Sequence, residues 1–130
     1  MIPRLFLIML FFSAQIFADQ QLLRVDVQDR ANTATLLLQL DNSMAYRYFT
    51  LSNPDRLVID LEKTALRARI ALKTKPGALV RQVRYGFPSR GVLRLVFELR
   101  EPVKAVVSVV NHTGTARFHY AFMLSKKNAL

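Results

Sequence analysis

The side chains best suited to chemistry in this sequence are arginines that alternate with apolar residues or stand beside turns. Arg47, Arg56, Arg84 and Arg94 have this placement, and Tyr85 directly follows one of them. A guanidinium donates two parallel hydrogen bonds to a carboxylate or phosphate, and a tyrosine ring offers an apolar face with a polar edge. We therefore take these five residues as candidate ligand-binding residues. For each arginine, the alternative is a solvated surface that keeps a basic protein soluble.

Residues that could support hydrolysis are scarce. His112 and His119 are the only histidines, cysteine is absent, and no histidine pair has the HExxH spacing. A catalytic zinc needs three protein ligands, and a nucleophile needs a neighbouring base. The G-x-S-x-G and G-x-x-x-x-G-K-[ST] patterns are also missing. We expect no catalytic residue, no metal ligand and no cofactor in this chain.

Residues 1–18 have the layout of a secretory signal peptide. Arg4 precedes an apolar run from Leu5 to Phe12, and the segment ends at Ala18. An uncleaved anchor is the alternative, but the run is shorter than the ~20 residues that cross a bilayer. We therefore predict export, cleavage after Ala18 or Ala14, and no stable membrane insertion afterwards.

The net charge indicates which classes of partner the exported chain could bind. The sequence has a formal net charge of +10, and loss of Arg4 with the leader leaves 10 − 1 = +9. Such an excess of positive charge favours anionic partners: nucleic acid, anionic lipid, or wall polymers that carry carboxylates or phosphates. Export makes nucleic acid the least suitable of the three, so we expect no nucleic-acid partner. Without cysteine the chain has no disulfide, and its stability must come from the core.

The elements that would position the arginines are β-strands. Beyond the leader, apolar and polar residues alternate with period two, and turn residues separate the segments. The predicted strands cover residues 23–27, 34–40, 45–51, 56–61, 80–85, 93–99, 104–110 and 117–124. A crossover between residues 62 and 77 contains at most one short irregular strand. The second set of four repeats the first at an offset of about 58 residues, which indicates an internal duplication.

We therefore predict an all-β fold for residues 20–125. Strands of this length with one apolar face pair most simply as two packed antiparallel four-stranded sheets. The duplication relates these two sheets, and together they form a β-sandwich.

Two segments resemble the AMIN domain. The first runs from Tyr46 to Leu61 and contains NPDRLVIDL; the second combines Val83-Arg84-Tyr85-Gly86 with the strand from Val92 to Leu99. That family is found in the periplasm, at the N-terminus of N-acetylmuramoyl-L-alanine amidases and in pilus secretins. The resemblance implies two symmetry-related β-sheets, which agrees with the duplication.

The function implied by this resemblance is binding rather than catalysis. It describes a non-catalytic module that binds peptidoglycan and targets a periplasmic amidase to the division septum, in cell-wall turnover and daughter-cell separation. The zinc-binding amidase domain has no counterpart in these residues, so no metal ligand carries over. The alternative is a protein-interaction module of a pilus secretin or division complex, which would bind through exposed strand edges. The sequence leaves open whether the glycan strand or the peptide stem is bound.

Overall fold

The computed structural model describes residues 20–42, 45–66, 77, 79–111 and 118–127. The predicted leader, His112 and most of the predicted crossover lie outside these residues. None of the described segments forms a helix of the length and hydropathy needed to cross a bilayer. The described residues form nine strands: β1 (Gln20–Asp29), β2 (Thr33–Leu40), β3 (Tyr46–Leu51), β4 (Arg56–Glu62), β5 (Thr64–Leu66), β6 (Val80–Ser89), β7 (Val92–Leu99), β8 (Val103–Asn111) and β9 (Phe118–Lys126).

These strands form two sheets, which confirms the predicted all-β class. The larger sheet has the order β5-β1-β2-β9-β8, and the smaller has the order β3-β4-β7-β6. All pairings are antiparallel except that of β1 with β5. The short strand expected in the crossover is β5, and it makes the larger sheet five-stranded rather than four-stranded. It does so because the chain leaves β4 and runs alongside the start of β1, where the backbone N–H of Gln20 donates to the carbonyl of Lys63 at 3.0 Å.

Strand order reveals the internal duplication. The hairpins β1–β2 and β3–β4 of the first half correspond to β6–β7 and β8–β9 of the second. In the larger sheet, the β1–β2 hairpin lies next to the β8–β9 hairpin, with β2 beside β9. In the smaller sheet, the β6–β7 hairpin lies next to the β3–β4 hairpin, with β7 beside β4. Exchanging the two halves therefore maps one sheet onto the other, apart from β5. Because each sheet needs one hairpin from each half, neither half completes a sheet by itself.

The core lies between the two sheets. Alternate residues of β2 and β7 are buried, as the period-two pattern predicts, and they form one apolar cluster with residues of β4 and β9. Aromatic rings join the sheets at one side: the Tyr46 ring centroid of β3 lies 5.4 Å from that of Tyr120 and 6.0 Å from that of Phe122, both on β9. Packing of this kind fixes the smaller sheet against the larger one and turns the opposite face of the smaller sheet toward solvent.

A carboxylate at the end of β1 holds the start of β6. The Asp29 carboxylate accepts hydrogen bonds from the backbone N–H of Leu79 at 3.0 Å and of Val80 at 2.8 Å. Because β1 belongs to the larger sheet and β6 to the smaller, this contact ties the two sheets together. Gly77 packs so closely against Asp29 that a Cβ at this position would overlap the carboxylate.

Candidate functional site

The outward face of the smaller sheet carries the arginines that the sequence singled out. On β4 and β7, the residues that alternate with the apolar core residues point to this face. The hydrogen-bond register arranges its central side chains in three rows across the sheet. Read from β3 to β6, the rows are Leu51, Arg56, Glu98 and Gln82; Phe49, Val58, Val96 and Arg84; and Arg47, Asp60, Arg94 and Gly86.

A groove of about 450 Å³ lies along this face, and we call it the arginine groove. Val58 and Val96 lie at its centre and form an apolar floor, with Arg56, Arg84 and Arg94 around them. The remaining lining residues come from β3 and from the far end of β6: Leu51, Tyr85, Gly86, Phe87 and Pro88. The groove therefore combines an apolar floor with cationic side chains.

An irregularity in β6 shapes the rim of the groove. The register with β7 shifts between Gly86 and Ser89, so Phe87 and Pro88 have no partner residues in the ladder. Pro88 lacks an N–H group and is tolerated because β6 is an edge strand. The bulge leaves two aromatic rings accessible at the rim, with Tyr85 52% and Phe87 55% exposed. Extra residues of this kind re-aim side chains next to binding sites.

An ion pair between a buried aspartate and a partly exposed arginine forms one boundary of the groove. The Asp60 carboxylate accepts hydrogen bonds from Arg94 Nε at 2.8 Å and Arg94 Nη2 at 2.9 Å. Arg47 Nη2 lies 3.5 Å from the same carboxylate, whose side chain is 4% exposed. The Arg94 guanidinium also lies 5.8 Å from the centroid of the Phe49 ring, within the range of a cation–π contact. Arg94 is therefore held in place by the protein itself.

The electrostatics of this pair keep both groups charged. The bidentate hydrogen bond from Arg94 lowers the pKa of Asp60, against the opposing effect of burial, and the charges of Arg94 and Arg47 act in the same direction as the bond. The same bond raises the pKa of Arg94. Asp60 is thus ionised near neutral pH, and both of its oxygens are engaged.

Arg56 and Arg84 differ from Arg94 in having no such partner. Among the described residues, neither forms an ion pair, and the only hydrogen bond of Arg56 runs from its Nε to the carbonyl of Pro54 at 3.1 Å. Glu98 is the nearest carboxylate in the rows, but it faces Arg81 Nη1 at 3.7 Å. Two guanidinium groups at the groove therefore remain available to a ligand.

The structure brings the predicted residues together but divides them by role. Arg56, Arg84, Tyr85 and Arg94 line the arginine groove, and Arg47 lines a smaller adjoining cavity of about 140 Å³ that it shares with Arg94. The sequence interpretation treated the four arginines alike, whereas Arg94 and Arg47 contact a buried carboxylate. The reason is the cross-strand register, which places Asp60 directly between them.

Sequence reasoning missed Asp60 and the valine floor. The alternation of Arg56, Val58 and Asp60 along β4 shows that they share a face, and this is the signal that could have found them. The pairing of Asp60 with Arg94 depends on β4 lying next to β7, which local spacing does not reveal. His119 lies on β9 of the larger sheet. Within the described ranges, no three histidine, cysteine, aspartate or glutamate side chains are grouped in a way that could bind a metal ion.

Comparison with known families identifies the domain. Residues 24–117 match the AMIN domain family, and the match includes β2 to β8 in full. The chain belongs to the AMIN domain family. The resemblance seen in the sequence is thus confirmed, and the arginine groove lies within the matched part of this AMIN domain.

Two relatives of this AMIN domain are amidases. The chain is similar to N-acetylmuramoyl-L-alanine amidase AmiC of Neisseria meningitidis serogroup B, with 31% identity over 83 residues that make up 61% of this chain and 20% of the relative. It is also similar to N-acetylmuramoyl-L-alanine amidase AmiC of Escherichia coli O6:H1, with 28% identity over 91 residues that make up 67% of this chain and 22% of the relative. The matched segment thus spans about one fifth of the length of either amidase.

Proposed function

We propose that this AMIN domain is a non-catalytic module that binds peptidoglycan in the periplasm through the arginine groove. The observation that carries the proposal is the pair Arg56 and Arg84, two guanidinium groups beside an apolar floor with no carboxylate partner among the described residues. Cationic side chains with fork geometry suit a polymer that carries carboxylates. The amidase names of the relatives point to the same polymer, because N-acetylmuramoyl-L-alanine is one of its linkages.

The ionisable groups of the groove suit binding better than proton transfer. An arginine stays protonated at any physiological pH and cannot serve as a general base. Asp60 has a lowered pKa and is held by Arg94, so it is a weak base with both oxygens occupied. We therefore assign no catalytic step to this chain. Its role is to bring a zinc-dependent amidase domain to the wall at the division septum, in wall turnover and daughter-cell separation.

Sedimentation with purified sacculi tests the binding proposal. The chain is purified from the periplasm of an expressing host, and its binding is compared with that of Arg84→Met and Arg24→Met. Arg24 is a matched control because it is an exposed arginine of the larger sheet, paired with Asp26 at 2.7 Å. We expect Arg84→Met to weaken binding about tenfold, equivalent to about 1.4 kcal/mol, and Arg24→Met to leave it unchanged.

Equal losses in the two variants would contradict the proposal, because they would show that net charge rather than the groove drives binding. A fluorescent fusion exported to the periplasm tests the septal role separately. A band at mid-cell supports targeting by this domain. Uniform fluorescence would show that targeting depends on another part of the host enzyme.

One observation favours protein binding as a second candidate function. β8 lies at an edge of the larger sheet and has β9 as its only partner strand among the described residues. It is nine residues long, its pairing with β9 is free of register shifts, and Val106 and Val109 are 59% and 50% exposed. An edge strand of this length and regularity can accept a strand from another protein. Secretin or division proteins are the partners that this candidate function would involve.

A substitution on β8 distinguishes the two candidate functions. Val106→Lys places a charge on the β8 edge and leaves the arginine groove intact. Under the second function, this change abolishes co-purification with division or secretin proteins and leaves sacculus binding unaltered. Retained co-purification would refute a role for the β8 edge.

A further inference from the structure

We infer that the arginine groove selects the peptide stems of peptidoglycan by their free carboxylates, and not the glycan strand. This inference rests on the proposed function and assigns the part of the polymer that occupies the groove. It follows from the hydrogen-bonding character of the lining, the placement of the two available arginines and the shape of the floor.

The described polar side chains in the groove are almost all donors. Arg56, Arg84 and Arg94 supply N–H groups and no acceptor, and the hydroxyl of Tyr85 at the rim is the exception. Asp60, at the boundary, accepts from Arg94 through both oxygens and also has Arg47 within 3.5 Å. A sugar hydroxyl carries a donor as well as acceptor lone pairs, and its donor would find few free side-chain acceptors in this groove. An ionised carboxylate only accepts, so it matches this lining.

The register gives the spacing of the two available guanidinium groups. Arg56 on β4 and Arg84 on β6 are two strands apart, and they lie in neighbouring rows of the sheet. With strands about 4.8 Å apart and two residues rising about 6.8 Å, their Cα atoms are separated by about 12 Å. Arg94 is not a third free cation, because Asp60 neutralises it. The groove therefore presents two cationic positions, which suits a short peptide with two carboxylates.

The floor between these positions fits the apolar part of such a peptide. Val58 and Val96 face each other across β4 and β7, in the row that ends at Arg84. Val58 is only 3% exposed and Val96 is partly exposed, so Val96 supplies most of the accessible apolar surface, which suits small methyl side chains such as those of the alanines in a stem. A stem that lies across the valines places its acidic groups near Arg56 and Arg84. A guanidinium binds each carboxylate in a two-pronged arrangement, which a lysine does not reproduce.

Three binding substrates and one competitor test this inference. The substrates are intact sacculi, stem-free glycan strands, and free stem peptides. The stems are removed with an amidase, and the lactyl carboxylates that this hydrolysis exposes on the glycan are then converted to amides. The competitor is the same stem peptide with its carboxylates converted to amides. We expect removal of the stems to reduce binding at least tenfold. Free stems should compete with sacculi, and the amidated stems should not compete.

Variants assign the effect to the groove. Arg56→Met and Arg84→Met should each weaken binding of free stems about tenfold, and Arg24→Met should have no effect. Arg56→Lys and Arg84→Lys keep the charge but lose the two-pronged hydrogen bonding of a guanidinium. They should therefore bind free stems more tightly than the methionine variants and more weakly than the wild type. Circular dichroism of each variant confirms that the β-sheets are retained, and the lysine variants keep the test decisive if a methionine variant fails to fold.

The outcomes separate this inference from the proposed function. Equal binding of intact sacculi and stem-free glycan would overturn the inference while leaving peptidoglycan binding in place. Competition by amidated stems would also overturn it, because the carboxylates would then be dispensable. Inorganic phosphate that competes as well as the stems at equal concentration would show a general anion site and refute carboxylate selection. Failure to bind intact sacculi at all would refute the proposed function itself.

Discussion

Replacing Arg94 by Met should destabilise this AMIN domain more than the same change at any other arginine of the groove. The substitution keeps an apolar side chain beside Phe49 but removes both hydrogen bonds to Asp60, at 2.8 and 2.9 Å. It leaves a carboxylate that is 4% exposed without its main partner. Arg84→Met is the matched control, because Arg84 lies on the same face and has no ion pair within the described residues.

The structure sets the size of the effect. Removing one partner of a fully buried ion pair costs about 3–5 kcal/mol. The cost here is smaller, because the Arg94 side chain is 36% exposed and Arg47 remains near the carboxylate. We expect Arg94→Met to lower the free energy of unfolding by about 2 kcal/mol. The change on the other side of the pair, Asp60→Asn, should lower the free energy of unfolding by only about 1 kcal/mol, because the guanidinium that loses its partner can turn toward water.

Urea unfolding followed by far-ultraviolet circular dichroism measures both effects. A loss of about 2 kcal/mol lowers the midpoint by about 1 M urea at slopes typical of small domains. The double variant Asp60→Asn/Arg94→Met should lose less than the sum of the single losses, by about 1 kcal/mol, because the two residues are directly coupled. If Arg94→Met is no more destabilising than Arg84→Met, or if the two losses simply add, the ion pair does not stabilise the sheet and the reasoning is wrong.

The remaining predictions concern pH, the junction between the sheets and the core. Because the pKa of Asp60 is lowered by folding, the stability advantage of the wild type over Asp60→Asn should be complete above about pH 4 and shrink as the pH falls; an advantage that persists unchanged at pH 2 would argue against the ion pair. Asp29→Ala should lower the free energy of unfolding by about 1–3 kcal/mol in urea titrations, because two buried backbone N–H groups lose their acceptor. Gly77→Ala should lower the melting temperature through overlap with the Asp29 carboxylate, and calorimetry that shows no change would contradict this packing. Leu95→Ala should cost about 2–5 kcal/mol, whereas Val106→Ala, an exposed control, should stay within about 0.5 kcal/mol.

Local pattern accounts for most of the strands, because period-two alternation depends only on neighbouring residues. The predicted strands at 34–40 and 93–99 lie within β2 and β7, whose buried positions alternate as expected. The pattern fails in β1, where strict alternation over the predicted strand 23–27 would place Leu23 on the same face as Val25. A register shift between Leu22 and Arg24 instead puts Leu22 in the core, fully buried. A bulge of this kind is set by the partner strand, so the sequence of β1 alone does not show it.

The sequence by itself determined the all-β class, the duplication, the family and the set of candidate arginines. Each of these is a property of residue types and their spacing along the chain. Only the tertiary structure decided which arginines are available to a ligand. Arg56 and Arg94 look equivalent in the sequence, but the adjacency of β4 and β7 places Asp60 against Arg94. Arg56 lies opposite Glu98, which faces Arg81 instead, so Arg56 forms no ion pair within the described residues. Charge pairing across a sheet depends on strand order and register, which are set by the packing of the whole chain.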